Sequence, residues 1–357
     1  MTSRYINQLL IATLVLGFAT ARAQDAAVTP EEGTTSNTTN GTDAAPVSSI
    51  TTEIKAPAPK AVPVITGETD GLADSDGYYW NENRLGFKQS TGRSLLKTFT
   101  GEAVQMKGGA NNYAHYSGNK LMGGAELQLT PGLSIAGSIG AGKLTVHDSY
   151  GKTFDTSRSM LLWDLTTMYK VTDTTKLKLS GTEDFAYLHF EDQGDGYVMN
   201  LRKGALELDT RAIEKWQFKS TATFSYYGDG NERQKYDQLL VREVITEPLT
   251  LKAGVSGGWR RFKFRSPQYV SAPHRENYGL RLIGQKALTS SWTLDGDIFY
   301  GYDQTLDRKR YNVSRTDWSA SYQDKAGWLV RASATFYTFH EGVFWENSAN
   351  LSLEIPI

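Results

Sequence analysis

Charged side chains recur at every second position in many otherwise apolar segments of this 357-residue chain. In residues 292–302, Asp295 and Asp297 share one strand face with Thr293, Phe299 and Gly301, because successive side chains alternate sides. The other face carries Trp292, Leu294, Gly296, Ile298, Tyr300 and Tyr302. The same phase in other segments assigns Asp164, Lys219, Lys252, Arg281, Arg315, Asp317, Arg331 and Glu346 to the polar side. Buried in a dry core, each of these charges would need a partner. Lining a water-filled passage, they need none, and a hydrated lumen is the more economical reading than a salt-bridged plug. Both signs are mixed, so strong ion selectivity is not expected. Arg281, one strand before Asp295 and Asp297, and Arg331 are expected to balance those two carboxylates across the lumen.

Other chemistries find little support. His115, His147, His189, His274 and His340 are too far apart to form a metal-ligand spacing. Cysteine is absent, which excludes thiolate metal sites, disulfides, a lipoprotein anchor and covalent haem. A barrel enzyme would need a nucleophile, a base and an orienting group together. His147 or His340 with Ser149 or Ser348 are the available candidates, and no spacing marks them as a triad. No catalysis and no cofactor are expected. The net charge of −1 lacks the basic excess of a nucleic-acid binder, so no nucleic-acid partner is expected.

The elements that must hold these faces are strands behind an export signal. Arg4, the apolar run Leu9–Ala19 and Ala21-Arg22-Ala23 read as a cleaved signal peptide over residues 1–23. Residues 24–75 are rich in Thr, Asn, Ala and Pro and are read as a disordered periplasmic tail. From residue 76 to 357, strand signals recur roughly every 13 to 20 residues, the rhythm of an outer-membrane barrel. Tight turns at Thr130-Pro131-Gly132, Thr172-Asp173-Thr174, Glu214-Lys215, Glu247-Pro248, Thr289-Ser290-Ser291 and Lys325-Ala326-Gly327 alternate with longer polar connections. The expectation is an all-β transmembrane antiparallel barrel of about 14 strands, with 16 as the close alternative if 78–91 is also a strand. A negative mean hydropathy is compatible, since alternation hides a barrel's apolar surface.

Two places disturb the phase. Glu183 falls on the apolar face of its segment, and the pattern slips near Arg260-Arg261. A β-bulge at either site would restore the alternation; otherwise Glu183 would have to sit near a membrane interface. The chain ends Ala349-Asn-Leu351-Ser-Leu353-Glu-Ile355-Pro-Ile357. This resembles the C-terminal signal read by the outer-membrane insertion machinery, but it closes on Ile357 rather than an aromatic. Expected surroundings are therefore outer-membrane lipid and lipopolysaccharide.

Arg260, Arg261, Lys263, Arg265 and Arg275 flank one long connection, and Arg308, Lys309 and Arg310 lie in the next. Together they are expected to form a basic extracellular mouth that attracts anionic glycan, solute or lipopolysaccharide phosphate. Tyr226-Tyr227-Gly228-Asp229-Gly230-Asn231-Glu232-Arg233 resembles the Tyr-Ser-Asp-Gly-Asn-x-Arg loop of the barrels that end exopolysaccharide-export proteins of the cellulose-secretion type. Phe264-Arg265-Ser266-Pro267-Gln268-Tyr269 resembles their Tyr/Phe-x-Ser-Pro-x-Tyr loop. Gly228 replaces the usual Ser, and no tetratricopeptide repeats precede this barrel. The resemblance implies an exopolysaccharide-export channel that works with separate periplasmic export components. Diffusion of polar solutes, or a non-conducting adhesin or assembly component, are the other readings.

Overall fold

The computed structural model describes residues 62–357, apart from 76, 92, 94, 111–113, 149–155, 187–198, 266–273, 306–309 and 340–343. The signal segment and residues 24–61 lie outside the described residues. Sixteen strands run in chain order: β1 (Pro63–Asp74), β2 (Tyr78–Ser90), β3 (Leu96–Ala110), β4 (Ala114–Thr130), β5 (Leu133–Asp148), β6 (Thr156–Thr172), β7 (Thr175–Ala186) and β8 (Met199–Thr210). They continue as β9 (Trp216–Tyr227), β10 (Glu232–Ile245), β11 (Thr250–Phe262), β12 (His274–Ala287), β13 (Trp292–Thr305), β14 (Arg310–Gln323), β15 (Leu329–Phe339) and β16 (Phe344–Pro356). Each pairs antiparallel with its sequence neighbours, and β1 pairs with β16 to close the barrel. Closure leaves no strand edge with unpaired backbone groups.

The count is sixteen, not about fourteen, and the barrel begins at Pro63 rather than residue 76. The twelve residues of β1 were hidden in the expected tail because their outer face is Ile65, Gly67, Thr69, Gly71 and Ala73. A face with one large apolar residue gives almost no amphipathic signal. Its register is nonetheless continuous on both sides, from Ile65↔Ile355 to Asp74↔Glu346 and from Pro63↔Gln89 to Ala73↔Tyr79.

The six tight turns read from the sequence all fall at one end of the barrel, where Pro63 and Ile357 also meet through a backbone hydrogen bond of 2.9 Å. The opposite end carries the longer connections, including 149–155, 187–198 and 263–273. Bulges occur at Leu96/Thr98, Gln128/Thr130, Lys170/Thr172 and Glu243/Ile245, beside the tight turns. None occurs at Glu183 or Arg260, where pairing is regular. Glu183 stays on the outer face. Its charge is met there by Arg202 at 3.0 Å, by Trp163 Nε1 at 3.1 Å and by Asn200 at 3.2 Å.

Register fixes which residues share a face. The outer face carries the exposed large apolar side chains, such as Leu121, Ile139, Leu161, Leu280, Tyr300 and Trp318. Toward the long-connection end this polarity reverses. There the outer face of β2–β6 offers Asn83, Gln105, Asn119, Lys143 and Ser159 in one row. The inner face of β3–β6 holds the buried residues Val104, Met106, Tyr116, Leu144, Val146 and Leu162, and Phe185 from the end of β7 packs into the same cluster. The barrel is thus polar inside at its middle and apolar inside at one end.

Candidate functional site: the barrel interior

On β12–β14 the inward charges Arg281, Asp297, Arg315 and Asp317 are paired with close neighbours. Arg281 donates from Nε and Nη2 to both oxygens of Asp297, at 2.6 to 3.1 Å. Asp317 accepts from Arg315 Nε at 3.0 Å and from Thr335 Oγ1 at 2.6 Å. Asp295 accepts from Gln285 at 2.7 Å and from Ser319 at 3.3 Å, both neutral donors. Arg331 faces inward with no ion pair among the described residues. The expectation that Arg281 and Arg331 balance the two aspartates across the lumen is therefore corrected. Adjacent strands bring diagonal inward residues within side-chain reach, so Arg281 lies alongside Asp297.

A second set, which the sequence reading missed, is built on β1 and β2. Arg84 stands among Glu68 (3.2 Å), Asp70 (2.5 Å) and Glu82. Asn350 of β16 donates to Glu68 and Asp70. Lys120 of β4 reaches Asp184 of β7 at 2.7 Å and Glu82 at 3.8 Å. The available signal was the two-residue spacing Glu68/Asp70 answered by Glu82/Arg84; it was passed over because β1 lacked an apolar face. Elsewhere Lys219 pairs with Glu207 at 3.2 Å, and Lys252 donates to Gln217, which in turn donates to Asp209. Asp164 accepts from Ser138. Glu346 is buried on the inner face of β16.

The expected basic mouth is divided by the barrel wall. Arg260 and Arg275 face inward, directly opposite each other in register, and with Arg233 they are buried. Arg275 pairs with Asp303 at 2.5 Å and lies 4.8 Å from the Phe339 ring centroid. Arg261 takes the outer phase. Lys263 is exposed and paired with Glu232 at 3.0 Å, Arg265 is exposed, and Arg310 donates to Gln304 at 3.2 Å. Arg308 and Lys309 lie outside the described residues. The correction has a simple cause: a period of two sends Arg260 and Arg261 to opposite sides.

Around these arginines the inner face is apolar and closely packed. Met199 and Phe262 form one group, with Leu201 and Tyr227 against it. Val313, Tyr337, Phe339 and Phe344 form another, with Phe299 and Tyr311 against it. With the Met106 cluster these make a collar at the long-connection end. Met106, Val146 and Met199 are 0% exposed, whereas the ion-paired Asp70 and Asp184 side chains keep 33% and 37% of their area accessible.

The two loop motifs singled out in the sequence are joined by one side chain. Gly230 takes the left-handed φ of 86° that its turn requires. Asn231, fully buried, donates from Nδ2 to the Phe264 carbonyl at 3.0 Å and accepts from the Phe264 N–H at 3.2 Å. The β9–β10 turn is thereby clamped to the segment after β11. The residues weighed for catalysis are not brought together: His147 is on the outer phase of β5 and Ser348 on the inner phase of β16. Ser149 and His340 lie outside the described residues.

A closed sixteen-strand antiparallel barrel with an outer face that is largely apolar and an inner face that is polar at its middle has the fold of outer-membrane β-barrels. A solved bacterial polysaccharide outer membrane secretin superposes with a TM-score of 0.64 at 9% identity, over 83% of this chain and 99% of that chain. The CymD monoaromatic hydrocarbon channel gives a TM-score of 0.48 at 10% identity, over 84% and 89%. OccK3 (OpdO) of Pseudomonas aeruginosa gives 0.42 at 11% identity, over 83% and 96%. No protein-family model and no curated protein matches the chain. At such identities the likeness is one of fold.

Proposed function

We propose that the chain is a channel of the bacterial outer membrane, closed at its extracellular end by the apolar collar and serving export of an exopolysaccharide. One observation carries the channel reading. In a barrel closed by hydrogen bonding all round, the accessible area of inward side chains such as Glu68, Asp70, Asp184 and Glu207 comes from the lumen itself. Accessible, ion-paired charges at mid-height support a hydrated passage rather than a dry plug. The termini and tight turns belong on the periplasmic side by the usual asymmetry of such barrels. Strand β16, with Leu351, Leu353 and Ile355 in one phase, offers the segment that the insertion machinery would read.

Polysaccharide is the favoured cargo on two grounds: the overall superposition on the polysaccharide secretin, and the Asn231 clamp joining the two motifs that resemble exopolysaccharide-export barrels. Periplasmic export components would then deliver the chain to the lumen. A non-conducting adhesin or assembly component is the second reading, favoured by the close packing of the collar.

Purified protein in planar bilayers decides between them. A hydrated but gated lumen gives small or intermittent conductance, which Phe339→Ala and Met106→Ala should raise several-fold by opening the collar. Silence in all three proteins, each shown to be a folded, heat-modifiable barrel, would leave the adhesin reading. For cargo, deletion of the gene should remove surface polysaccharide; unchanged polysaccharide would leave only the general channel.

A further inference from the structure

The outer wall of β1–β6 carries a feature that transport through the lumen does not use. Two adjoining grooves, of about 670 and 1020 Å³, share Leu85, Ala103, Leu121 and Ala141. Their form follows the register row by row. In the lowest row the floor is Gly101 and Gly123, between Phe87 and Ile139. A Cβ at Gly101 would stand 2.3 Å from the Phe87 ring, so the exposed ring lies over this glycine and would have to turn away from any larger residue; at Gly123 a Cβ would meet nothing within 4 Å and would project into the groove. The next row is Leu85, Ala103, Leu121, Ala141 and Leu161. Above it comes Asn83, Gln105, Asn119, Lys143 and Ser159, and then Asn81, Lys107, Ser117 and Thr145. The wall therefore passes within a few residues from an apolar trough to amides, hydroxyls and two lysines.

The charge on this wall is one-sided. No carboxylate occupies the outer phase of β1–β6, and exposed Lys107 and Lys143 have no ion pair among the described residues. Elsewhere on the outer wall, carboxylates are present and several charges are matched, Arg202 with Glu183, Lys263 with Glu232 and His274 with Glu276, while exposed Arg261 and Lys286 lie away from the two grooves. Two unmatched ammonium groups above an apolar trough are complementary to an amphiphile with a negative head and hydrocarbon tails.

We propose that this groove is a binding site for lipopolysaccharide. One acyl chain lies over Gly101 and Gly123, and a phosphate of the acylated sugar base is held by Lys143 and Lys107. Asn83, Gln105, Asn119 and Ser159 offer donors and acceptors to the sugar hydroxyls. This rests on the outer-membrane reading above, since the lysines lie at the long-connection end, which that reading places in the outer leaflet.

The test uses the full-length protein folded in detergent and purified rough lipopolysaccharide, with bound lipid counted by native mass spectrometry. The wild type should retain one molecule. The double variant Lys107→Gln/Lys143→Gln should bind about tenfold more weakly or worse, given the strength of lysine–headgroup attraction, while Lys286→Gln on β12 should not. Gly123→Leu, which fills the trough without touching a charge, should also weaken binding. Dephosphorylated lipopolysaccharide should bind the wild type as poorly as intact lipid binds the double variant. Equal retention by wild type and both groove variants would overturn the site. Equal binding of phosphatidylglycerol would overturn the glycolipid assignment. Crosslinked dimers abolished by Gly123→Leu would assign the groove to a second copy of the chain instead. Heat-modifiable migration and fractionation are scored on the same proteins. If the protein is absent from the outer membrane, the parent reading fails; if it is present there and the variants bind normally, only this inference fails.

Discussion

Strands β1 and β13 do the same structural work from very different sequences. β13 places Trp292, Leu294, Ile298, Tyr300 and Tyr302 outward and Asp295 and Asp297 inward. β1 has Gly67, Thr69, Gly71 and Ala73 where β13 has aromatics and aliphatics, yet it is paired along its length on both edges. In a closed barrel a strand is held by two ladders of backbone hydrogen bonds, and its outer face can be weak if its neighbours supply the apolar area. On the inside the ranking is reversed. Glu68 and Asp70 of β1 belong to the network around Arg84, which extends to Glu82 and Asn350, whereas Asp297 of β13 relies on a single arginine.

The largest effect should come from removing β1. Deleting residues 63–74 leaves β2 and β16 each without a partner, so heat-modifiable migration and β-rich circular dichroism should both be lost. Retention of a stable barrel would mean that the β1 pairing is dispensable. Next, Ile298→Arg on the outer face of β13 should cost about 2–4 kcal/mol if the site is at mid-membrane, measured by denaturant titration in vesicles; a cost near zero would place that face away from lipid. Smaller again is Asp297→Asn, which leaves Arg281 half-buried without its carboxylate. A loss of about 1–2 kcal/mol is expected, discounted for solvent access, together with a reversal potential displaced toward anions.

Gly67→Leu is expected to act in the opposite direction. A Cβ at Gly67 meets nothing within 4 Å, and glycine weakens a strand interior, so β1 should gain roughly 0.5–1 kcal/mol. Destabilisation in the same titration would contradict the outer phase assigned to β1. The smallest effect lies in the β6–β7 turn, where Lys170 lies 2.6 Å from Asp173 and holds its carboxyl below its ordinary value of 3.8. A lowered folded-state value contributes stability above the unfolded value and loses it as the pH falls through the folded value. Asp173→Asn should therefore lower stability slightly at neutral pH and converge with the wild type once the pH falls well below about 4, where the carboxyl is protonated in both states.

Alternation alone made much of this molecule legible. It gave the outer and inner faces of β6, β9, β11, β13 and β15, the six tight turns, and the inward placement of Asp164, Lys219, Lys252 and Arg281. It failed where one face lacked contrast, at β1, and so the strand count and the acidic side of the interior were missed. It left open a bulge at Glu183 or Arg260, and the pairing is regular at both. Arg202 answers Glu183 from the neighbouring strand, and Arg260 faces the inner collar opposite Arg275, which pairs with Asp303 and lies over the Phe339 ring.

The sequence by itself determined that strands alternate in polarity and which residues of each strand share a face, because a period of two is a property of the extended backbone. Which charges meet was decided only by the tertiary structure. Arg281 finds Asp297, Arg84 finds Glu68 and Asp70, and Lys120 finds Asp184 across intervening strands, through a register set by ring closure. The reversal of polarity at the collar is likewise a product of that register. It aligns the apolar inward residues of β2–β7 with one another, and no single strand records how high its neighbours stand.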